Sequence, residues 1–317
     1  MKRLIFTFLF CSAILSFAQE LEVPKSYSNI QKDESGLFLE MNGERFYAEE
    51  NATPQYSLEQ LFGNPKGTEQ GVLMDFGDFE GKITYGLIPY GKAPHPLPVF
   101  RFEKKLENGK ASINIKDDFK YPYDFVDWQN NQKLSIGYRL TNADGMVVYD
   151  GEVSLQGKGP FQEVASIFEG PFINKLKDTS ATIWFNTALS TEASVHIDGK
   201  VLESSKGTHH EIDIADLLPD TKYEYKVVYG DFSQTYHLHT APKAGARKPF
   251  VFAYTSDSSH ATGSGERKIY GANAYIMKKI AALAYANDAA FMQFSGDLIN
   301  GYLQTDAETQ VHYNNWN

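Results

Sequence analysis

From about Gly36 to Gln162 the chain is a succession of short runs in which apolar and polar residues alternate, each run closed by turn chemistry. A period of two presents one face of an extended segment to a core and the other to water, which a helix cannot do. Asn42-Gly43, between 37–41 and 44–47, is the dipeptide that best tolerates the positive φ angles of a two-residue hairpin turn. A second hairpin is predicted where 134–140 and 146–149 flank Asn142-Ala143-Asp144-Gly145. A third is predicted at Asn108-Gly109, between 99–106 and 111–115. Many short strands with regular turns imply an all-β sandwich, here over residues 19–168. Its aromatics, including Trp128, Tyr121, Tyr123 and Phe125, suit a strand core and rim, since aromatic side chains favour strands. A carbohydrate-binding face is the alternative use of the same residues.

Ahead of these strands, Met1-Lys2-Arg3 precedes an apolar run from Leu4 to Ala18 that ends Ser16-Phe17-Ala18. A basic start, an apolar stretch too short to span a bilayer and small residues before the break predict a secretory leader at 1–18, and hence a periplasmic or secreted protein. Cys11, the single cysteine of the 317 residues, lies inside that leader. Cleavage after Ala18 leaves no thiol, so disulfides and cysteine metal ligands are excluded and the fold must rely on buried apolar area. A chain with 42% hydrophobic residues has enough for two or three cores. The net charge of −10 becomes more negative without Lys2 and Arg3. Nucleic acid is therefore not an expected partner, and neither is an anionic membrane surface once the leader is gone.

Gly170-Pro171 opens a second region, assigned 169–242. Residues 180–187 read as a strand with Ile183 and Phe185 on one face, and 193–198 as another, turning at Asp198-Gly199. The run Leu217-Leu-Pro-Asp-Thr-Lys-Tyr-Glu-Tyr-Lys-Val227 resembles the fibronectin type III pattern, which implies a β-sandwich with Tyr223 as a tyrosine corner bonded back to the chain. That argues a fold and no function. His237 and His239 share a strand face at a spacing that can chelate, yet no acid lies near them in sequence, so they read as surface residues. His209-His210 reads the same way, in a polar loop. Asn51-Ala52-Thr53 fits a glycosylation sequon, a motif short enough to occur by chance. Residues 243–249, small and basic around prolines, form a linker without a packing face.

Residues 250–317 carry the chemistry. Phe250-Val-Phe-Ala-Tyr-Thr255 is almost wholly apolar, as a strand buried on both faces of a parallel sheet would be. It ends at Ser256-Asp257-Ser258-Ser259-His260. From 269 to about 285, Ala272, Ile276, Ile280, Leu283 and Ala284 fall on one helical stripe. A second apolar run, 289–294, ends at Ser295-Gly296-Asp297. This is a βαβ unit with parallel strands and a right-handed crossover. Asp257 and Asp297 each follow the carboxyl end of a strand, the edge where open α/β sheets place ligands. Neighbouring strand ends lie about 5 Å apart. Two carboxylates over that gap suit a dication, with metal–oxygen distances of about 2 Å. Turn-forming or capping carboxylates explain both residues equally well on topology alone.

An apolar strand ending in Asp257, a helix, and a strand closed by Gly296-Asp297-Leu298 resemble the first two motifs of the calcineurin-like metallophosphoesterases, among them the purple acid phosphatases. A fibronectin-like module directly before such a segment is similar to purple acid phosphatase architecture. The resemblance implies that Asp257 binds one metal ion and Asp297 bridges two, of iron, zinc or manganese, and that the substrate is a small phosphate ester, cleaved by a phosphatase or phosphodiesterase. Two departures stand out. Ser259 occupies the place usually held by histidine, with His260 one residue on. Asn300 occupies the place of the purple acid phosphatase tyrosine, with Tyr302 displaced. His260 and Asn300 are possible further ligands. The Gly-Asn-His motif is absent and only twenty residues follow Asp297. The expectation is a multidomain chain whose last segment is the first βαβ unit of a longer α/β domain, inactive on its own, with the general acid outside it. The rival expectation is an exported β-sandwich protein that binds a glycan or a surface partner through its first β domain.

Overall fold

The computed structural model describes residues 30–47, 54–91, 96–260, 268–300 and 305–317. The leader at 1–18, the sequon at Asn51 and Tyr302 lie outside the described residues. Residues 30–47 belong to a unit of their own. There β1 (Ile30–Asp33), β2 (Gly36–Met41) and β3 (Glu44–Tyr47) pair antiparallel in sequence order. Asn42 and Gly43 take φ of 55° and 85°, the left-handed pair that a two-residue turn requires. Phe38 is buried under the Arg45 guanidinium and the Tyr47 ring.

The second unit opens with α1 (Leu58–Leu61), then β4 (Lys66–Gly67), β5 (Gly71–Asp75), β6 (Gly81–Leu87), β7 (Val99–Lys105) and β8 (Lys110–Asn114). Two short helices follow, α2 (Ile115–Asp118) and α3 (Trp128–Asn131), and then β9 (Lys133–Asn142), β10 (Val147–Gln156) and β11 (Gln162–Val164). One sheet runs β4-β5-β8 and the other β11-β10-β9-β6-β7. Val72, Met74 and Ile113 from the first meet Ile83, Ile136 and Leu155 from the second in one core. Each such side chain contributes about 1.5–3 kcal/mol through burial. Buried aromatics keep their polar ends bonded: Tyr138 donates to the Leu61 carbonyl at 2.9 Å, and the Trp128 indole to that of Phe119 at 2.7 Å. Trp128 is thus a core residue, whereas Tyr121 is 92% exposed.

The hairpin predicted at Asn108-Gly109 is not one. The turn forms, with φ of 50° and 71°, but β7 pairs with β6 and β8 with β5, so the chain crosses between layers there. The Gly109 carbonyl accepts from Phe76 N–H, and a Cβ on Gly109 would lie 1.8 Å from the Gly77 carbonyl oxygen. A turn dipeptide specifies local dihedrals, not which strands then pair.

Next come β12 (Ile167–Asn174), β13 (Ala181–Ile197), β14 (Lys200–Ile214), β15 (Lys222–Tyr229) and β16 (Phe232–His239). The two long strands shift register beyond Asn186 and serve both layers of a second sandwich. The first part of β13 lies between β12 and the end of β14; its second part lies between the start of β14 and β15. Ile183, Phe185, Val195, Ile212, Val227 and Leu238 fill the space between. The Tyr223 hydroxyl accepts the Leu218 N–H at 2.7 Å, which is the corner read from the sequence.

After residues 240–252 come β17 (Ala253–Thr255), β18 (Ser259–His260), β19 (Gly271–Ala272), α4 (Ala274–Ala286), β20 (Met292–Phe294) and α5 (Asp306–Trp316). β17 and β20 are parallel neighbours. α4 starts later than predicted because 271–272 pairs with 259–260, and Asn273 then caps the helix by accepting the Ile276 N–H at 3.2 Å. Two expectations of burial fail. Phe250, Phe252 and Tyr254 are exposed rather than enclosed, and Ile276 and Leu283 of α4 face solvent; Ala274, Met277, Ile280 and Ala284 are the half-buried stripe. The cause is that this sheet has two strands among the described residues, too few to cover both faces of either element. α5 instead packs on the first sandwich, with Val311 wholly buried in its core and the Asn315 amide donating to the Val148 carbonyl at 2.8 Å. No helix among the described residues is long and apolar enough to cross a membrane.

Candidate metal centre

The pairing of β17 with β20 continues past both strand ends as a main-chain ladder. Ser295 N–H donates to the Thr255 carbonyl at 3.1 Å, Asp257 N–H to that of Gly296 at 3.2 Å, and Ser259 N–H to that of Asp297 at 2.8 Å. The two aspartates predicted to meet are therefore held on adjacent, hydrogen-bonded loops. Both adopt left-handed backbone, with φ of 59° and 51°, and Gly296 before Asp297 has φ of 149°. Aspartate enters that region more readily than most residues because its short polar side chain can bond locally. Both residues are exposed, and Ser256 donates its hydroxyl to the Asp257 carboxylate.

The loops rest on a buried post. Ser258 is 3% exposed; its hydroxyl donates to the Leu298 carbonyl at 2.8 Å and accepts the Trp316 indole N–H at 2.9 Å, while its own carbonyl accepts Asn273 N–H at 2.8 Å. One serine thus links the Asp257 loop, the Asp297 loop, the start of α4 and the end of α5. Of the two possible further ligands, His260 stands opposite Gly271 in the β18–β19 pairing, and Asn300 donates its N–H to the Gly271 carbonyl at 3.3 Å. Gly271 is the common neighbour of both. Asp297 and Asn300 line a shallow cleft with Leu298, Thr309 and Tyr313.

Two carboxylates and an amide oxygen on converging loops are hard donors and fit one end of a site for a divalent cation. Among the described residues there is no group of three or more His, Cys, Asp or Glu arranged to hold a metal. The histidines noted in the second sandwich lie elsewhere. His209 and His210 lie in β14, not in a loop: His210 is fully buried, stacked on Phe185 and within 3.0 Å of the Ser204 hydroxyl, and burial holds it below its ordinary pKa. His237 and His239 do have acidic neighbours, Glu224 at 3.7 Å and Asp220 at 3.3 Å, contributed by the adjacent chain segment and so invisible in local sequence. Each is a separate exposed pair rather than a shared chelate.

His312 was not singled out by sequence. It is 1% exposed on α5, and neither ring nitrogen has a hydrogen-bond partner. Its ring lies edge-on to Tyr270 at 4.3 Å, and the Tyr270 hydroxyl donates to Glu308, one turn earlier on α5, at 2.7 Å. The only cue was a histidine in a polar helix, which a single sequence does not distinguish from a surface residue.

No family model matches the chain, and no curated protein does. Among solved structures, the central fibronectin-III array of RIM-binding protein is similar at 15% identity and a TM-score of 0.30, over 58% of this chain and 71% of that one. The sensor domain of the anti-sigma factor RsgI4 of Pseudobacteroides cellulosolvens is similar at 21% identity and 0.22, over 28% and 100%. PhoD is similar at 12% identity and 0.29, over 45% and 44%. At these TM-scores none of the three bears on the chemistry of the site.

Proposed function

We propose that residues 250–317 carry part of a metal centre that hydrolyses phosphate esters, with Asp257 and Asp297 as ligands, in an exported protein. The observation that carries this reading is the main-chain ladder that continues a parallel strand pair into two aspartate loops. Together with the likeness of these loops to the first two metallophosphoesterase motifs, it favours ligation over separate turn-forming roles. Asp297 would bridge two ions of iron, zinc or manganese and Asp257 would hold one, with His260 and Asn300 as candidate additions. Such ions, when bound, polarise phosphoryl oxygens and supply a nucleophilic water near neutral pH. The protein's contribution here is to fix two carboxylates on hydrogen-bonded loops, braced from below by Ser258 and Trp316, so that they need not reorganise to receive a cation.

The test is calorimetric titration of the 317-residue chain with Mn2+ and Zn2+, beside Asp257→Asn and Asp297→Asn, and a chromogenic phosphate ester assay. Binding abolished by either substitution is expected. Turnover is not expected, since these residues supply neither Gly-Asn-His nor a histidine cluster among those described. Unchanged binding in both variants would sink the reading.

One observation favours a second reading, a β-sandwich protein that binds a glycan. A cleft of about 840 Å3 is lined by Gln55, Gln60, Asn64, Glu152 and Glu163, with Phe62 and Phe168 as apolar wall. Amides and carboxyls beside aromatics suit a hydroxyl-rich ligand. Glycan-array binding lost in Glu163→Gln would support it.

A further inference from the structure

A second cleft, of about 580 Å3, separates α4 and β20 from the sandwiches. It exists because α4 stands off: the helix has no fully buried residue, and Met277 and Ala281 on its inner stripe line the gap instead of closing it. Val147 and Phe172 line it from the sandwiches, Met292 from β20 and Trp316 from α5. The volume falls within the range of small-molecule sites, about 300–1,000 Å3. Unbranched methionine side chains let such a wall adapt to an apolar guest.

The polar groups narrow what the guest can be. The asparagine amides at the cleft already donate to the protein: Asn315 to the Val148 and Tyr270 carbonyls at 2.8 and 3.0 Å, Asn314 to that of Phe168 at 3.4 Å, and Asn317 to the Glu169 carboxylate at 2.8 Å. A sugar or nucleotide would find few donors left to read it, whereas a hydrocarbon needs none. Charge then selects the head group. The described lining residues hold three cations, Arg139, Lys268 and Lys278, against one acid, Asp150, which Arg139 already grips through two bonds of 2.7 and 2.6 Å. This is a local excess of positive charge in a chain of net charge −10. The same net charge argues against a bilayer as the source of the guest, because an anionic membrane surface repels the molecule as a whole.

We propose that this cleft binds a free acyl carboxylate, its tail along Met277, Met292 and Trp316 and its carboxylate toward Lys268 and Lys278. The site lies apart from the aspartate loops and does not rest on the metal-centre reading.

The test is calorimetric titration of the chain with decanoate, below its micelle concentration and with a chelator present so that no metal contributes. Octanoate, two methylenes shorter, should bind about 10-fold more weakly. Decyltrimethylammonium, the same tail length with the opposite charge, should also lose at least about 10-fold. Ala281→Phe puts a ring into the cleft and is expected to weaken decanoate at least about 10-fold. Phe252→Ala should leave the affinity unchanged: Ala253 stands opposite Met292 in the strand pair, so by alternation Phe252 lies on the other face of that sheet. Absence of decanoate binding overturns the proposal, as does equal affinity for the cationic amphiphile. Affinity lost in Phe252→Ala and kept in Ala281→Phe overturns it too, since the exposed aromatic face would then be the site. So does sedimentation with phosphatidylglycerol vesicles without decanoate binding, which would make the guest a lipid surface. If Ala281→Phe does not fold, the indole N–H resonances of wild type decide: a shift at Trp316 and none at Trp128 on adding decanoate supports the site, and an unmoved Trp316 overturns it.

Discussion

The amide of Ser259 donates to the carbonyl of Asp297 at 2.8 Å, across the gap between two loops that are thirty-eight positions apart in the chain. Any change that loosens one loop must therefore reach the other through this bond. It also ties the main chain at Asp297 to the loop that carries Asp257.

Ser258→Ala tests that coupling. The substitution removes a donor to Leu298 and strands the Trp316 indole N–H, both in a site that is 3% exposed. A loss of about 1–3 kcal/mol is expected in urea unfolding. Ser258→Thr, which keeps the hydroxyl, should lose less, and a neutral result for Ser258→Ala would show that the post bears no strain from either loop.

Gly271→Ala meets both limits at once, a left-handed φ of 94° and a Cβ position 2.3 Å from His312 Cγ. The imidazole cannot retreat past Tyr270, so α5 must shift away from the first sandwich and draw Val311 from its core. The expected outcome is a fall of at least about 2 kcal/mol in stability, with Tyr270 and Trp316 fluorescence changing before the β-sheet circular dichroism does. Coincident transitions at wild-type stability would contradict this.

The balance between what sequence reveals and what it hides is instructive at particular residues. Tyr223 was legible because a tyrosine corner is local: its hydroxyl accepts from Leu218, five positions away. Asp257 and Asp297 were legible as strand-end residues because apolar runs and a helix-length spacing dictate a parallel pair. The Asn108-Gly109 turn was legible and its strand pairing was not, since pairing depends on where Phe76 and Gly77 sit. Burial of α4 and β17 was misread for a related reason. An apolar stripe states what an element would bury if enough neighbours were present, and the two strands of this sheet among the described residues supply too little surface. His312 was hidden altogether, because it packs against Tyr270 and Gly271, which lie 42 and 41 residues earlier.

Tyr223→Phe should cost about 1 kcal/mol by leaving the Leu218 N–H without its 2.7 Å partner. The effect should appear in β15 and β16 exchange and leave the aspartate loops untouched. A change in Mn2+ affinity in this variant would reveal coupling between the second sandwich and the loops that no hydrogen bond described above provides.

Glu152 gives the molecule a pH dependence whose sign can be worked out. Its carboxyl accepts the Tyr90 hydroxyl at 2.5 Å and that of Ser154 at 3.2 Å, but burial dominates and pushes its pKa up to about 7. Burial likewise raises Glu163 to about 6. In the unfolded chain a glutamic acid loses its proton near pH 4.5. Between that pH and about 7 the folded state therefore holds a proton at Glu152 that the unfolded state has released. The contribution of Glu152 to stability falls as pH rises through that window, with a slope approaching about 1.4 kcal/mol per pH unit. His210 and His312, held below their ordinary pKa by burial, contribute with the opposite sign as their unfolded-state imidazoles lose protons. Below the window both states are protonated and the slope vanishes; above it both are ionised and the loss is complete. Glu152→Gln should flatten the dependence and leave the protein more stable than wild type at pH 8. Urea unfolding at half-unit steps from pH 4 to pH 8 measures it. A difference between wild type and Glu152→Gln that does not change across this range would mean that Glu152 is ionised in the fold, held so by Tyr90 and Ser154 against the cost of its burial.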